Sequence, residues 1–307
     1  MAITTKNTGM KLEFIPETTR GTPVSSGSLR RPSDAITNVN LSGLNNGQIV
    51  FNINDYDGQD IVYGLKEYKL SFEYDLQRTR GSGAYSLTRT IHGIAANRTS
   101  GLLTPLTFYL HTQSNATLEC RGCVVDTWKM DVAPGGRLHC TADISVASVK
   151  WTTGSYGSLT ASSALGTTFE TFQGALITRT GGFDEGVSNF SVTIKNNSKG
   201  VPNIGKQVYK YIYESTQNID GTADVILYSG GKTDWEEMAG ASGNGAPTEQ
   251  DIVFSSGNST TATDKSIKWT FSPAAYTNLP VNFKPEDGWV TSGMTWIAQA
   301  VTIADYS

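Results

Sequence analysis

Charge is what this chain of 307 residues has little of. Asp, Glu, Lys and Arg make up only 17% of it, against roughly 25% in an average soluble protein. That is too few for a coiled coil or for a disordered acidic or basic chain. The formal net charge of −4 excludes the broadly basic face of a nucleic-acid-gripping protein. No apolar run approaches the roughly 18 residues of a membrane-spanning helix, so no such span is expected. The opening Met1-Ala-Ile-Thr-Thr-Lys6 lacks the apolar core of a signal peptide, so synthesis and folding in the cytoplasm are expected.

Cysteine and histidine are scarce too. Three Cys (Cys120, Cys123, Cys140) are too few for a disulfide framework. Cys120-Arg-Gly-Cys123 has the spacing of half a zinc knuckle, and His139-Cys140 follows. A structural zinc site wants four ligands on rigid turns, usually as two such pairs. Here the candidates fall on or beside strand-like runs, so buried thiols at a strand junction are expected and no metal. The three His (His92, His111, His139) belong to no nucleophile elbow, His-Glu-x-x-His helix or phosphate loop. Asp126 with Asp131, or Glu236 with Glu237, could be drawn as a glycosidase pair. Solvated strand and helix carboxylates are the commoner meaning of such pairs. No enzyme and no cofactor are expected.

What fills the chain instead is Ser (29), Thr (38) and Gly (32), with only 10 Pro. That composition suits β-strands joined by tight turns. Residues 1–37 are weakly patterned and carry five basic and three acidic residues, an extended arm. Then Tyr68, Leu70, Phe72, Tyr74 and Leu76 alternate with Lys69, Ser71, Glu73, Asp75 and Gln77, a half-buried strand with charge on its wet side. Leu87, Ile91 and Ile94 have helical spacing and predict a helix over 84–97. Strand-like runs follow at 106–111, 117–121 and 124–132. Ala133-Pro-Gly-Gly136 is a turn signal, and Leu138, Cys140, Ala142, Ile144 and Val146 alternate after it. A hairpin over 124–147 is therefore expected. The Gly/Ser/Thr stretch 152–166 reads as a linker.

The second half repeats the plan. Phe190, Val192 and Ile194 alternate, and 218–228 is strand-like. Residues 232–239 predict a short helix with acidic residues near its start. Short strands are expected at 251–254 and 265–271. Leu279, Val281 and Phe283 alternate up to the turn signal Pro285-Glu-Asp-Gly288, and 289–301 closes a hairpin. An offset of 152 lays hairpin 276–301 on hairpin 124–149, yet only Gly136 with Gly288 and Val149 with Val301 are identical. The apolar parity before the turn slips by one residue. The duplication therefore rests on layout, and one large many-stranded sandwich is the alternative. The expected fold is all-β with one short helix per domain: arm 1–37, first domain 38–151, linker 152–166, second domain 167–307. Of the six Trp, five (Trp128, Trp151, Trp269, Trp289, Trp296) lie in or beside β-runs. Exposed Trp on a sandwich would suit a carbohydrate-binding module or adhesin, whereas core or subunit-interface burial is commoner.

The segment Glu13-Phe-Ile-Pro-Glu-Thr-Thr-Arg-Gly-Thr-Pro-Val-Ser25 resembles the opening of many phage tail tube proteins. Glu17, Thr18, Gly21, Thr22 and Pro23 fit, while Arg20 stands where an aromatic is usual. Residues 187–228 are similar to the tube-fold core: a Phe-Ser-Val-Thr-Ile strand, a loop with Asn203-Ile-Gly205, and a strand with Gly221-Thr222. The resemblance covers nearly the whole chain as a layout. It implies the major tail tube subunit of a long, non-contractile tail of the siphovirus kind, with two tube domains per chain. It further implies pseudo-hexameric trimer rings that stack into a tail conducting DNA at ejection. The implied partners are further copies of itself and the terminator, tape measure and baseplate proteins. Genomic DNA passes through without specific binding, and no membrane is involved. The place implied is the virion tail, assembled in the host cytoplasm. Another tail or baseplate ring, or a capsid decoration protein, is the alternative within the same class.

A ring of such subunits would consume exposed sheet edges, which otherwise invite pairing with other chains. A conduit should repel its cargo, and carboxylates act on phosphates over roughly 8–10 Å at physiological salt. Glu73, Asp75 and Asp126 are the candidates for the lumen, with a solvated outer face as the alternative. The arm, with Glu13, Glu17, Arg20, Arg30 and Arg31, is the candidate bridge to the next ring. Residues 152–307 carry nine basic and fifteen acidic residues, so a slightly basic arm would meet an acidic second half.

Overall fold

The computed structural model describes residues 11–50, 60–77, 90–111, 116–153, 158–162, 169–172, 175–179, 187–227, 249–257, 265–280, 282–284 and 289–305. Among these the chain is almost wholly β, with one short helix. The first half comprises β1 (Lys11–Pro16), β2 (Ser26–Ser28), β3 (Ile36–Val50), β4 (Asp60–Asp75), α1 (Ile91–Ala96), β5 (Leu106–His111), β6 (Ala116–Val132), β7 (His139–Val146), β8 (Ser148–Thr153) and β9 (Ser158–Thr160). The second comprises β10 (Leu176–Arg179), β11 (Val187–Lys195), β12 (Lys199–Pro202), β13 (Tyr209–Tyr213), β14 (Asn218–Leu227), β15 (Gln250–Gly257), β16 (Lys265–Asn278), β17 (Asn282–Lys284), β18 (Trp289–Ala298) and β19 (Val301–Asp305).

Period-two patterning is realised where it is strongest. On β4, Leu70, Phe72 and Tyr74 are buried, while Lys69, Ser71, Glu73 and Asp75 turn outward. The hairpin over 124–147 is β6–β7, closed by a turn in which Gly135 takes φ +69° and Gly136 N–H donates to Ala133 O. The runs 117–121 and 124–132 are one strand, β6. Gly122, at φ +61°, carries the chain through a bend between them without ending the strand. The helix is shorter than its pattern. Thr90 caps it by accepting from Gly93 N–H, and residues 84–89 lie outside the described ones. The helix expected at 232–239 lies outside them as well.

A long antiparallel sheet runs β3-β4-β7-β6-β11-β14-β18-β16, four strands from each half. It crosses from the first half to the second where β6 pairs with β11. The N-terminal parts of β6 and β16 leave this sheet and form covering sheets. One is β1-β5-β6-β8; the other is β10-β15-β16-β19. The layers pack face to face. Phe108 of β5 lies 5.7 Å from Phe72 of β4, and Phe254 of β15 stacks at 5.1 Å on Phe190 of β11. A single buried cluster runs through both halves. Within it His92 of α1 lies against both Trp128 of the first half and Trp269 of the second.

The two halves share one register. Ile36↔Tyr74, then a bulge, then Asn38↔Glu73 corresponds to Val187↔Val225, a bulge, and Asn189↔Asp224. Leu70↔Ile144 corresponds to Gly221↔Trp296. Val125↔Ile144, a bulge, then Thr127↔Asp143 corresponds to Tyr276↔Trp296, a bulge, and Asn278↔Thr295. The pair Asp131↔His139 matches Asn282↔Thr291, so β16 and β17 together stand for β6. The offset is 151 residues before the closing turn and 152 after it, as these pairs give it. That one-residue change accounts for the parity slip in the sequence.

Candidate functional site: a polar sheet face

The long sheet buries one face under the covering sheets, and alternation sends every second side chain the other way. The register gathers those outward residues into one surface. Across it lie Asn38, Asn40 and Ser42 of β3, Lys69, Ser71, Glu73 and Asp75 of β4, and His139, Thr141, Asp143 and Ser145 of β7. Thr127, Lys129 and Asp131 of β6 and Ser191, Thr193 and Lys195 of β11 continue it. Asp220, Thr222 and Asp224 of β14 follow, beside Thr295 and Ile297 of β18. Ser, Thr and Asn dominate. Six carboxylates (Glu73, Asp75, Asp131, Asp143, Asp220, Asp224) stand among three lysines (Lys69, Lys129, Lys195).

Several of these charges are paired. Lys129 contacts Asp131 at 2.9 Å and Lys195 contacts Asp220 at 3.2 Å. Arg137 at the rim reaches Asp75 at 3.1 Å, and His139 lies 3.2 Å from Asp75 and 3.7 Å from Glu73. Burial, the nearby Asp126 carboxylate and the opposing pull of Lys69 leave the Asp143 carboxyl raised.

Of the three residues expected to line a lumen, Glu73 and Asp75 lie on this face. Asp126 sits in the β6 bulge and is otherwise engaged. Its carboxylate accepts from Ser198 N–H at 2.6 Å and from Ser198 Oγ at 2.7 Å. Buried Asn196 completes the junction by donating to Ala95 O and Val125 O, both at 3.1 Å. That Asp131, Asp143, Asp220 and Asp224 share the face with Glu73 and Asp75 is not visible in the sequence, because strand neighbours cannot be read from alternation alone.

The N-terminal segment is bound to its own chain. Glu13 is buried, accepts from Ser162 N–H at 2.9 Å and lies 3.1 Å from His111 Nε2. Glu17 is buried and accepts from Thr107 Oγ1 (2.7 Å), Gly122 N–H (2.8 Å) and Gly21 N–H (2.6 Å). Burial pushes its carboxyl up against the pull of those hydrogen bonds and Arg20. Arg20 pairs with Glu214 at 2.8 Å and donates to Leu103 O and Ile212 O. Burial works to raise Glu214, but the Arg20 and Leu103 hydrogen bonds and the Arg20 charge outweigh it and hold the carboxyl low. Arg30 exchanges backbone bonds with Phe14, and Arg31 binds Asp34 and Ser162. The stretch expected as a linker takes part: β9 pairs parallel with β2. Nothing in the arm's alternation pointed to this, since its acidic residues face inward to collect backbone donors.

The three thiols are buried and free. Burial, first of all, raises Cys120 to about 12 and Cys123 well above the usual thiol range. His139 turns to the polar face while adjacent Cys140 turns into the core. Among the described residues no three His, Cys, Asp or Glu are grouped to hold a metal. Trp128, Trp269 and Trp296 are core residues, and Trp151 is exposed. Asp131 faces the polar surface away from Asp126's bulge contacts; Glu236 and Glu237 lie outside the described residues.

The family model described as phage tail tube protein matches residues 9–286. The chain belongs to the phage tail tube family. No curated protein matches its sequence. A tail tube protein is a structural component of the virion tail, built by self-association and joined to other virion proteins. The structure gives the family-like opening its physical sense in this tail tube protein. Glu17 satisfies three donors at the turn and the sheet bend, and Gly21 takes φ +78°. Arg20, in the place of an aromatic, ties the opening to the second half.

Proposed function

We propose that this chain is the major tail tube subunit of a long non-contractile tail, with two tube domains per chain and three chains per ring. The observation that carries the reading is the repeated register of the long sheet, four strands from each half in the same order. Three copies bring together about 24 strands, beyond the 16–18 that already leave an aqueous channel. The polar face then lines the lumen. Its Ser, Thr and Asn offer no sequence-specific grip, and its excess of carboxylates repels phosphate over roughly 8–10 Å. Glu73 and Asp75 act there directly; Asp126 fixes the bulge beneath. Stacked rings conduct the genome, and the ends of the tube meet terminator, tape measure and baseplate proteins. Assembly takes place in the host cytoplasm.

Electron microscopy of the purified protein tests this: uniform rings or tubes are expected. A compact monomer at high concentration, with no stacking at any ionic strength, overturns it. The lumen has its own readout. Tubes assembled from the Asp143→Lys/Asp224→Lys subunit should retain duplex DNA in a salt-dependent manner, and unmodified tubes should not. Equal retention by both removes the polar face from the lumen.

A further inference from the structure

We infer that the junction between neighbouring chains copies, residue for residue, a junction the chain already contains. Within the chain, β6 pairs with β11 as Val132↔Phe190, Asp131↔Ser191, Met130↔Val192, Lys129↔Thr193, Trp128↔Ile194 and Thr127↔Lys195. The repeat maps β6 onto β16–β17 and β11 onto β3, both 151 residues apart. Those mapped strands are the two ends of the long sheet. Among the described residues β3 pairs only with β4, and the C-terminal part of β16 pairs only with β18. The partner is therefore a second copy of this chain, its β3 laid antiparallel on β16–β17. The register is Asn278 opposite Leu44, Leu279 opposite Gly43, Pro280 opposite Ser42, Asn282 opposite Asn40, and Phe283 opposite Val39. The inference rests on the ring reading and adds to it which residues meet.

Three observations support the register. First, the edge residues show what a neighbour has yet to cover. Val39 and Leu41 are only partly buried, whereas their counterparts Phe190 and Val192 are 2% and 0% exposed. Second, the backbone accommodates Pro280. Asn196 N–H donates across the internal junction to Asp126 O at 2.7 Å. Alternation in an antiparallel pair then aims the backbone groups of 128, 130 and 132 across the junction and those of 127, 129 and 131 toward β7. Pro280 stands at the position of Lys129, where no donor toward the neighbour is required. Third, the packing row is complementary. The internal row is Trp128, Ile194, Ile219. The mapped row is Leu279, Gly43, Tyr68. A Cβ on Gly43 would lie 3.0 Å from the Tyr68 ring, so Tyr68 fills over Gly43 the space that Ile194 fills for itself.

Cross-strand disulfides test the register in assembled protein. The three native thiols are buried, so background linkage is low. Asn40→Cys/Asn282→Cys and, independently, Ser42→Cys/Pro280→Cys should link chains into covalent dimers and closed trimers on oxidation. The out-of-register control Asn40→Cys/Asn278→Cys should link at least about ten-fold less, since its positions stand four residues, about 13 Å, apart along the strand. Each variant is first checked, reduced, for unchanged thermal unfolding. Rings in the microscope without in-register links, or with equal links in the control, overturn the register and leave the ring reading standing. No rings from the unmodified protein under any condition overturns both.

Discussion

At the middle of its four strands the first half sets Leu70 of β4 against Ile144 of β7. The second half sets Gly221 of β14 against Trp296 of β18 at the same place. One step along, Phe72 faces Ala142 in the first half, and Ala223 faces Met294 in the second. In the second comparison the large residue has changed strands; in the first, two residues of middle size are replaced by the smallest and the largest. The summed volume across each pair stays similar, which is what a close-packed interior constrains. Identity at a single position is constrained only through its partner. The difference teaches why two halves with one register share almost no residues: the repeat is kept by pairs, and a one-chain alignment compares singles.

Changing one member of a pair is expected to have the largest effect. A Cβ on Gly221 would lie 2.2 Å from the Trp296 ring and 2.8 Å from Ser191 O. Gly221→Leu is expected to cost upwards of about 3 kcal/mol, at or beyond the usual range for overpacking. Adding Trp296→Ile, which installs the first half's pair, should recover more than half of that in denaturant unfolding. No recovery would mean that the pairs are not interchangeable.

A smaller effect tests what ties the halves together. Arg20→Ala leaves Glu214, fully buried, without its cation, and the expected loss is about 3 kcal/mol, the low end for breaking a buried pair. The pair's contribution depends on pH. Glu214 is held below its usual value of 4.5, so the stabilisation is present above pH 4.5 and is lost as pH falls through the folded value. The gap in stability between parent and Arg20→Ala should therefore narrow in acid. A gap that stays constant to pH 3 rules the carboxylate out as its source.

The gentlest probe is at the seam. Burial lowers His92 from 6.5 to about 3, so it is neutral in the folded protein at pH 7. Protonation below pH 6.5 favours the unfolded chain, and stability should fall by up to about 1.4 kcal/mol per pH unit between there and about pH 5, above the range in which Glu214 contributes. His92→Leu should abolish that slope, whatever its own stability. A slope that persists would assign the acid sensitivity to other groups.

The strands and one closing hairpin were legible because alternation survives in single residues: Leu70, Phe72 and Tyr74 point inward on any reading of β4. The helix was legible only in part, since Leu87, Ile91 and Ile94 give a period but Thr90 sets the start. The candidate site was half legible. Glu73 and Asp75 lie on a visibly two-faced strand. Asp143 and Asp220 join them only because β7 and β14 end up in the same sheet, a matter of pairing between distant segments. The arm was the opposite case. Glu13 and Glu17 look like surface charge, and they are buried because backbone donors of Gly21, Gly122 and Ser162 converge on them.

Low charge, abundant Ser and Thr, and period-two patterning determined by themselves that this protein is β-rich, with one wet face on its strands. Those properties follow from composition and from neighbours along the chain. Which strands adjoin, that both halves share one register, and that β3 and β17 each pair with a single strand among the described residues were decided only by tertiary structure. They depend on pairs such as Leu70 with Ile144 and Gly221 with Trp296, where packing fixes a volume shared between residues far apart in sequence and leaves each residue free to vary.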